Sequence, residues 1–203
     1  HSPALDVETS EAHAGGSLIM HQAENAFATP WTAGYEFGLR GVTEGRQNSA
    51  VGTDDGYTRR IHSLLLQAHT ELLGDTLRLL YGARYDAYSD ADNHLSPRAG
   101  LIVKPAPGCA VKLLYGNAFR PPTSSEARGS ATIEPAAGRP ETLDTWELAF
   151  VGQGERHRAY AVLFTTTWRD AIVGGKNPGP GKPLAYLNVG ESRSRGAEAG
   201  GTL

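Results

Sequence analysis

The chain has 203 residues, with 19 Lys and Arg against 22 Asp and Glu and a formal net charge of −3, so it has no basic footprint for nucleic acid. No stretch approaches the roughly 18 apolar residues of a membrane helix, which excludes helical spans but leaves β-spans open, because alternation dilutes their apolar residues. The 25 Gly and 12 Pro suit a protein of many strands and turns, and the single Cys109 excludes an internal disulfide and a thiolate cluster.

The start, "HSPALDVETS", has neither the basic nor the apolar region of a secretory signal. With His rather than Met at position 1, the chain is expected to be a fragment or a processed product. Patterning is weak over the first 30 residues, with a strand expected around Ser17 to His21. From Thr32 the alternation becomes regular. "TAGYEFGLRG" sets Ala33, Tyr35, Phe37 and Leu39 against Gly34, Glu36, Gly38 and Arg40. "RIHSLLLQAHTEL" sets Leu64, Leu66, Ala68 and Leu72 against Ser63, Gln67, His69 and Glu71. "LRLLYGARYDAY" follows a tight "LGD" turn and sets Leu77, Leu79, Tyr81, Ala83 and Tyr85 against Arg78, Gly82, Arg84 and Asp86, with Leu80 the one apolar exception.

The pattern continues through "SPRAGLIVKP", with Pro97, Ala99, Leu101 and Val103 opposite Arg98, Gly100 and Lys104. "AVKLLYGNAFR" sets Val111, Leu113, Tyr115 and Phe119 against Lys112, Gly116 and Arg120. "TWELAFVG" sets Trp146, Leu148 and Phe150 against Glu147 and Ala149. "RAYAVLFTTTWRD" sets Tyr160, Val162, Phe164 and Trp168 against Thr165, Thr167 and Arg169, and "LAYLNVGESRSRGAEAG" alternates less clearly. Strict alternation argues for strands with one apolar and one polar face. About eight strands and no helix are predicted.

The connections alternate too. Tight turns ("LGD", "PAPGC", "GQGERHR") take turns with longer polar ones such as "TEGRQNSAVGTDDGYT" and "PPTSSEARGSATIEPAAGRP". An antiparallel up-and-down sheet with one plain and one elaborated end has this signature, and outer-membrane barrels build it from short periplasmic turns and long extracellular loops. Periodicity alone divides evenly between a soluble sheet, with the apolar face turned to a core, and a membrane barrel, with that face turned to lipid. The loop lengths favour the barrel. So does a polar face rich in Arg and Gly, and so do Tyr35, Tyr85, Trp146 and Trp168 near segment ends, where interfacial girdles sit.

Enzymatic chemistry finds little purchase. His62 and His69, seven apart, fall on opposite faces of a strand. "DADN" at Asp90 to Asn93 hints at a calcium loop but lacks the Gly and distal Glu of an EF-hand. "GGKNPGPGK" has Pro183 where a phosphate loop needs Ser or Thr, and "SSE" near Ser124 has no nucleophile-elbow context. No catalytic, cofactor or metal residue is assigned, and Arg84, Asp86 and Arg98 are expected to pair structurally.

Five segments, in order, resemble the β-barrel of TonB-dependent outer-membrane receptors. They are Gly82, Arg84, Tyr85 and Asp86 of "YGARYD"; Ser96, Pro97, Arg98 and Gly100 of "SPRAG"; and Tyr115, Gly116, Phe119, Arg120 and Pro122 of "YGNAFRPP". Pro140, Glu141, Thr142, Glu147 and Leu148 follow, then Asn188, Gly190, Arg195, Gly196 and Glu198. The resemblance covers roughly residues 30 to 203 and implies an all-β, antiparallel up-and-down transmembrane barrel, of which these would be about eight of roughly 22 strands. Residues 1–203 would then be part of the barrel domain, with plug, signal peptide and final strands outside it.

The implied function is energised uptake of a scarce nutrient, usually a ferric siderophore, across the outer membrane of a Gram-negative bacterium. The implied partners are outer-membrane lipid, the receptor's own plug, the TonB complex through the N-terminal region, and the nutrient. "TSSEARGSATIEPAAGRP" and "GGKNPGPGKP" are the loops expected nearest a ligand. The alternatives are a soluble β-sandwich binding module and a small closed barrel with an adhesin or structural role.

Overall fold

The structure, a computed structural model, describes residues 10–22, 29–43, 57–123, 126–127, 133–135, 138–176, 179–182 and 184–202. The alternating stretches all become strands: β1 Ser10–Gln22, β2 Trp31–Thr43, β3 Tyr57–Leu72, β4 Leu77–Tyr88, β5 His94–Ala106 and β6 Cys109–Arg120. After the two-residue β7 (Ile133–Glu134) come β8 Glu141–Gln153, β9 Arg158–Lys176 and β10 Leu184–Thr202. The first strand is longer than the sequence pattern suggests, and among the described residues there are nine long strands rather than eight. They form one sheet in chain order, each antiparallel to the next, with β7 parallel to the start of β10. Among the described residues there is no second layer for a sandwich core. Of the long strands β1 and β10 stand at opposite ends, and among the described residues they do not pair, so these strands do not close on themselves.

Backbone geometry makes the short turns. Leu73 and Gly74 take the left-handed conformation (φ 54° and 63°), which reverses the chain into the 3-10 turn Gly74–Thr76 ahead of β4. Gly108 (φ 74°) does the same between β5 and β6, and its carbonyl accepts the Gln153 amide at 2.7 Å. The strand ends at 72 and 77, 106 and 109, and 153 and 158 are thus gathered at one end of the sheet, and those at 43 and 57, 88 and 94, 120 and 141, and 176 and 184 at the other.

Register extends each strand's alternation across the sheet. Leu66, Ala83 and Pro97 are successive partners in one row, and Tyr81, Ala99, Tyr115 and Trp146 are partners in another. This apolar face is the open one: Leu66 is 59% exposed, Leu18 65% and Leu163 52%. The polar face is the enclosed one, with Ser63 and Asp86 each 2% exposed and Arg59 3%. Among the described residues no large aliphatic or aromatic side chain is buried; the buried apolar ones are the small Ala149 and Ala185 and the loop prolines Pro122 and Pro140. A sheet folding in water does the reverse, because burying ions costs far more than burying leucine. The arrangement fits a wall with lipid outside and a hydrated lumen inside.

One strand departs from the sequence pattern. Phe164 pairs with Glu147, and Trp168 with Leu143, so Tyr160, Val162, Phe164 and Trp168 share the enclosed face. Leu163, opposite Leu148, points outward, and Arg169 lies on the outward face with it. The rings have a reason to sit inside. A Cβ added at Gly196 would collide with the Phe164 ring, and one at Gly200 would stand 2.8 Å from that of Tyr160. The aromatics of β9 therefore cover the bare backbone of β10 at its glycines.

Candidate functional site

The enclosed face carries a continuous polar network toward the long-loop end. β2, β3 and β4 bring Glu36, Ser63, Arg84 and Asp86 together by register, since Glu36 pairs with Ser63 and Ser63 with Asp86. Arg84 donates through Nε to both Asp86 carboxylate oxygens (2.9 and 3.1 Å) and through a terminal nitrogen to Ser63 Oγ (2.9 Å) and Glu36 (2.8 Å). Ser63 in turn donates to Asp86 at 2.5 Å. Arg98 reaches the side-chain oxygen of Gln67 in the same layer.

At the rim, Arg59 donates to both oxygens of Asp90 at 2.7 Å and to the Pro122 carbonyl at 2.7 Å, with its charge 5.5 Å from the Tyr88 ring centre. The Asp90 carboxylate of "DADN" is thus held by a guanidinium. The Asn93 side-chain oxygen accepts the Tyr88 amide, and the Asp92 amide donates to the Gly138 carbonyl. Above the Arg98–Gly116 pair β5 and β6 part, and His94 stacks on Phe119 (4.4 Å between centroids) while bonding Asn117 at 2.7 Å.

The motif residues also meet across the fold. Arg120 and Glu141 are register partners, and Arg120 donates to both Glu141 oxygens (3.0 and 2.7 Å) and to Glu126 (2.8 and 3.2 Å). Burial alone would push the Glu126 carboxyl up, but Arg120 and the Thr123 amide and hydroxyl hold it below its ordinary value. Asn188 donates to the carbonyls of Arg139 and Asp170, tying the loop before β8 to β9, where Asp170 stands at φ 56°. Gly190 has φ 64°, a conformation that explains glycine there.

At the short-turn end the same face holds a hollow of about 640 Å³ lined by His21, Gln67, His69, Leu80, Arg98 and Leu114. Among the described residues no group of three or more His, Cys, Asp and Glu side chains is placed to hold a metal ion. Arg84 and Asp86 pair as expected. The loops at 123–140 and 174–183 lie in part outside the described residues. Sequence reasoning missed Arg59, whose burial comes from Asp90 and Pro122, both distant in the chain, and the Arg120–Glu126–Glu141 cluster. The signal for that cluster was present, because two of its members belong to successive motifs.

A family model described as "TonB dependent receptor-like, beta-barrel" matches residues 9–203. The chain belongs to this family. The match begins some twenty residues before the resemblance by motifs, and β1, paired along its length with β2, accounts for the added stretch. Members of this TonB-dependent receptor family are transporters rather than enzymes. The sheet is similar to the siderophore receptor PirA from Pseudomonas aeruginosa, with a TM-score of 0.76 at 18% identity over 95% of this chain and 39% of that one. PirA from Acinetobacter baumannii gives 0.74 at 20% identity, over 97% of this chain and 35% of that one. The FrpB iron transporter from Neisseria meningitidis (F3-3 variant) gives 0.76 at 16% identity, over 96% and 33%. The chain spans between a third and two fifths of these receptors. No curated protein matches the chain.

Proposed function

We propose that this chain forms part of the wall of an outer-membrane receptor that takes up a ferric siderophore, with energy delivered by TonB. The observation that carries the reading is the inverted burial: an exposed apolar band over an enclosed layer of paired charges, in the fold of this family. Strand edges cannot be left unpaired in lipid, so the sheet closes with further strands of the same receptor. The plug would occupy the lumen, with the hollow beside Leu80 and Leu114 part of its seat. The TonB-contacting segment belongs to the rest of the receptor. The naming of similar structures as siderophore and iron receptors supports the ligand class.

The test is deletion of the gene carrying this chain in a Gram-negative host, with uptake of radiolabelled iron on a panel of catecholate and hydroxamate siderophores. Uptake of at least one should vanish on deletion and equally when TonB is disrupted, and the receptor should fractionate with the outer membrane. Undiminished uptake of every siderophore tested would overturn the ligand class. Recovery of the full receptor as a soluble protein would overturn the membrane reading.

A further inference from the structure

On the outward face of β6, β8, β9 and β10 the apolar band ends in a cluster of arginines. Leu113, Leu148, Leu163 and Ala197 form one cross-strand row. Toward the long-loop end the next row is Tyr115, Trp146, Thr165 and Arg195, and the one after it Asn117, Asp144, Thr167 and Arg193. Arg169 and Glu191 follow as partners. A hollow of about 550 Å³ lies on this face, with Leu113, Leu148 and Leu163 below and Arg193 and Arg195 at its upper margin. Glu147 and Phe164 border it, but register turns their side chains to the other face.

Height and charge both narrow what this hollow receives. A tilted strand crosses the apolar band in about 9–11 residues, and Arg169 stands that far along β9 from Ala159 beside the short turn. The partners of Arg195 and Arg193, Thr165 and Thr167, stand six and eight residues from Ala159, so both arginines lie in the outer half of the span, Arg195 in the register row of Tyr115 and Trp146, residue types enriched at the interface. Three guanidinium groups face two carboxylates. Asp144 is already held by Tyr115 (2.7 Å), Asn117 (2.9 Å) and Arg169, and Glu191 by Arg169 (3.1 Å) and Arg193 (3.3 Å). Arg195 makes no ion pair among the described residues. An outward cation at this depth needs an anion, and apolar side chains directly below it suit acyl chain.

We propose that Arg193 and Arg195 bind the phosphate of an outer-leaflet lipid headgroup, with one acyl chain of that lipid lying over Leu113, Leu148 and Leu163. A guanidinium fork fits phosphate oxygens two at a time, which gives the contact direction as well as charge. The inference rests on the reading that this face meets lipid.

The experiment is native mass spectrometry of the full receptor in detergent with a bis-phosphorylated, multiply acylated glucosamine disaccharide lipid and its dephosphorylated counterpart. The wild-type receptor should retain the phosphorylated lipid at least tenfold better, and excess inorganic phosphate should not displace it. The double variant Arg193→Gln, Arg195→Gln should lose the preference, and Arg193→Lys, Arg195→Lys should keep part of it. Equal retention of the two lipids by the wild type, displacement by inorganic phosphate, or a full preference in the Gln variant would each overturn the proposal. Heat-modified mobility on a gel reports folding, and if the Gln variant does not fold, the wild-type lipid pair decides alone. A receptor that fractionates with the outer membrane and imports its ligand, yet shows no phosphate preference, refutes this inference and leaves the transport reading standing.

Discussion

Leu163 and Phe164 are neighbours in β9, and replacing each in turn by arginine tests which face of that strand meets lipid. Leu163 is 52% exposed and lies in the row Leu113–Leu148–Leu163–Ala197, within the apolar band. An arginine on the lipid face costs about 2–4 kcal/mol near the bilayer midplane. That corresponds to a fall of roughly 30- to 900-fold in the ratio of folded to unfolded receptor. Phe164 faces the lumen opposite Glu147, with its ring against Gly196. Phe164→Arg gives up an aromatic cross-strand contact of about 0.2–1 kcal/mol and gains a cation beside a carboxylate. Leu163→Arg should therefore be the more damaging by at least 1 kcal/mol. The assay is denaturant unfolding of the full receptor in lipid vesicles, followed by heat-modified mobility and tryptophan emission. If Phe164→Arg proves the costlier of the two, the register of β8 and β9 is wrong and the alternation in the sequence was the better guide.

Three further outcomes are expected. Arg59→Met removes the group that holds Asp90 and the Pro122 carbonyl, leaving a carboxylate at the wet rim without its cation. The loss should be about 1–3 kcal/mol, read as hydrogen exchange at the Ser89 and Asp92 amides at least tenfold faster, and unchanged exchange would refute the brace. Gly82→Val brings a Cβ to 2.7 Å from the Leu66 carbonyl oxygen, whereas a Cβ at Gly116 meets nothing within 4 Å. The first should cost about 1–3 kcal/mol and Gly116→Val much less, and equal unfolding midpoints would show that the close approach is not real. Because the Glu126 carboxyl is held below its ordinary value, its contribution is present above that value and fades as pH falls through the folded one. Protection of the Ala127 amide, bonded to the Thr123 carbonyl at 2.8 Å, should weaken on acidification in the wild type and lose that pH dependence in Glu126→Gln.

How far the sequence could be read differed from strand to strand. In β4 the faces were unmistakable, because Leu77, Leu79, Tyr81, Ala83 and Tyr85 alternate with Arg78, Gly82, Arg84 and Asp86, and the structure keeps that division. β9 misled because both of its faces are largely apolar. Tyr160, Val162 and Phe164 outweigh Ala161 and Leu163 in bulk, so alternation by bulk points the wrong face at lipid. The larger side chains lie inside because Gly196 and Gly200 of the next strand need covering. The motif residues Arg84, Asp86, Arg98, Arg120 and Glu141 lie on the enclosed face, but their partnerships could not be read from single segments.

Within one strand, successive side chains point to opposite faces whatever lies beside them. The amino-acid sequence by itself therefore determined the class of fold, the sequential up-and-down order implied by short and long connections, and most of the two-faced pattern. Which face of one strand is continuous with which face of the next depends on inter-strand register, and a slip of one residue inverts it. That register, set by hydrogen bonds between segments far apart in the chain, turned β9 over and joined Arg120 to Glu141. It also placed Arg193 and Arg195 on the outward face beside an apolar hollow.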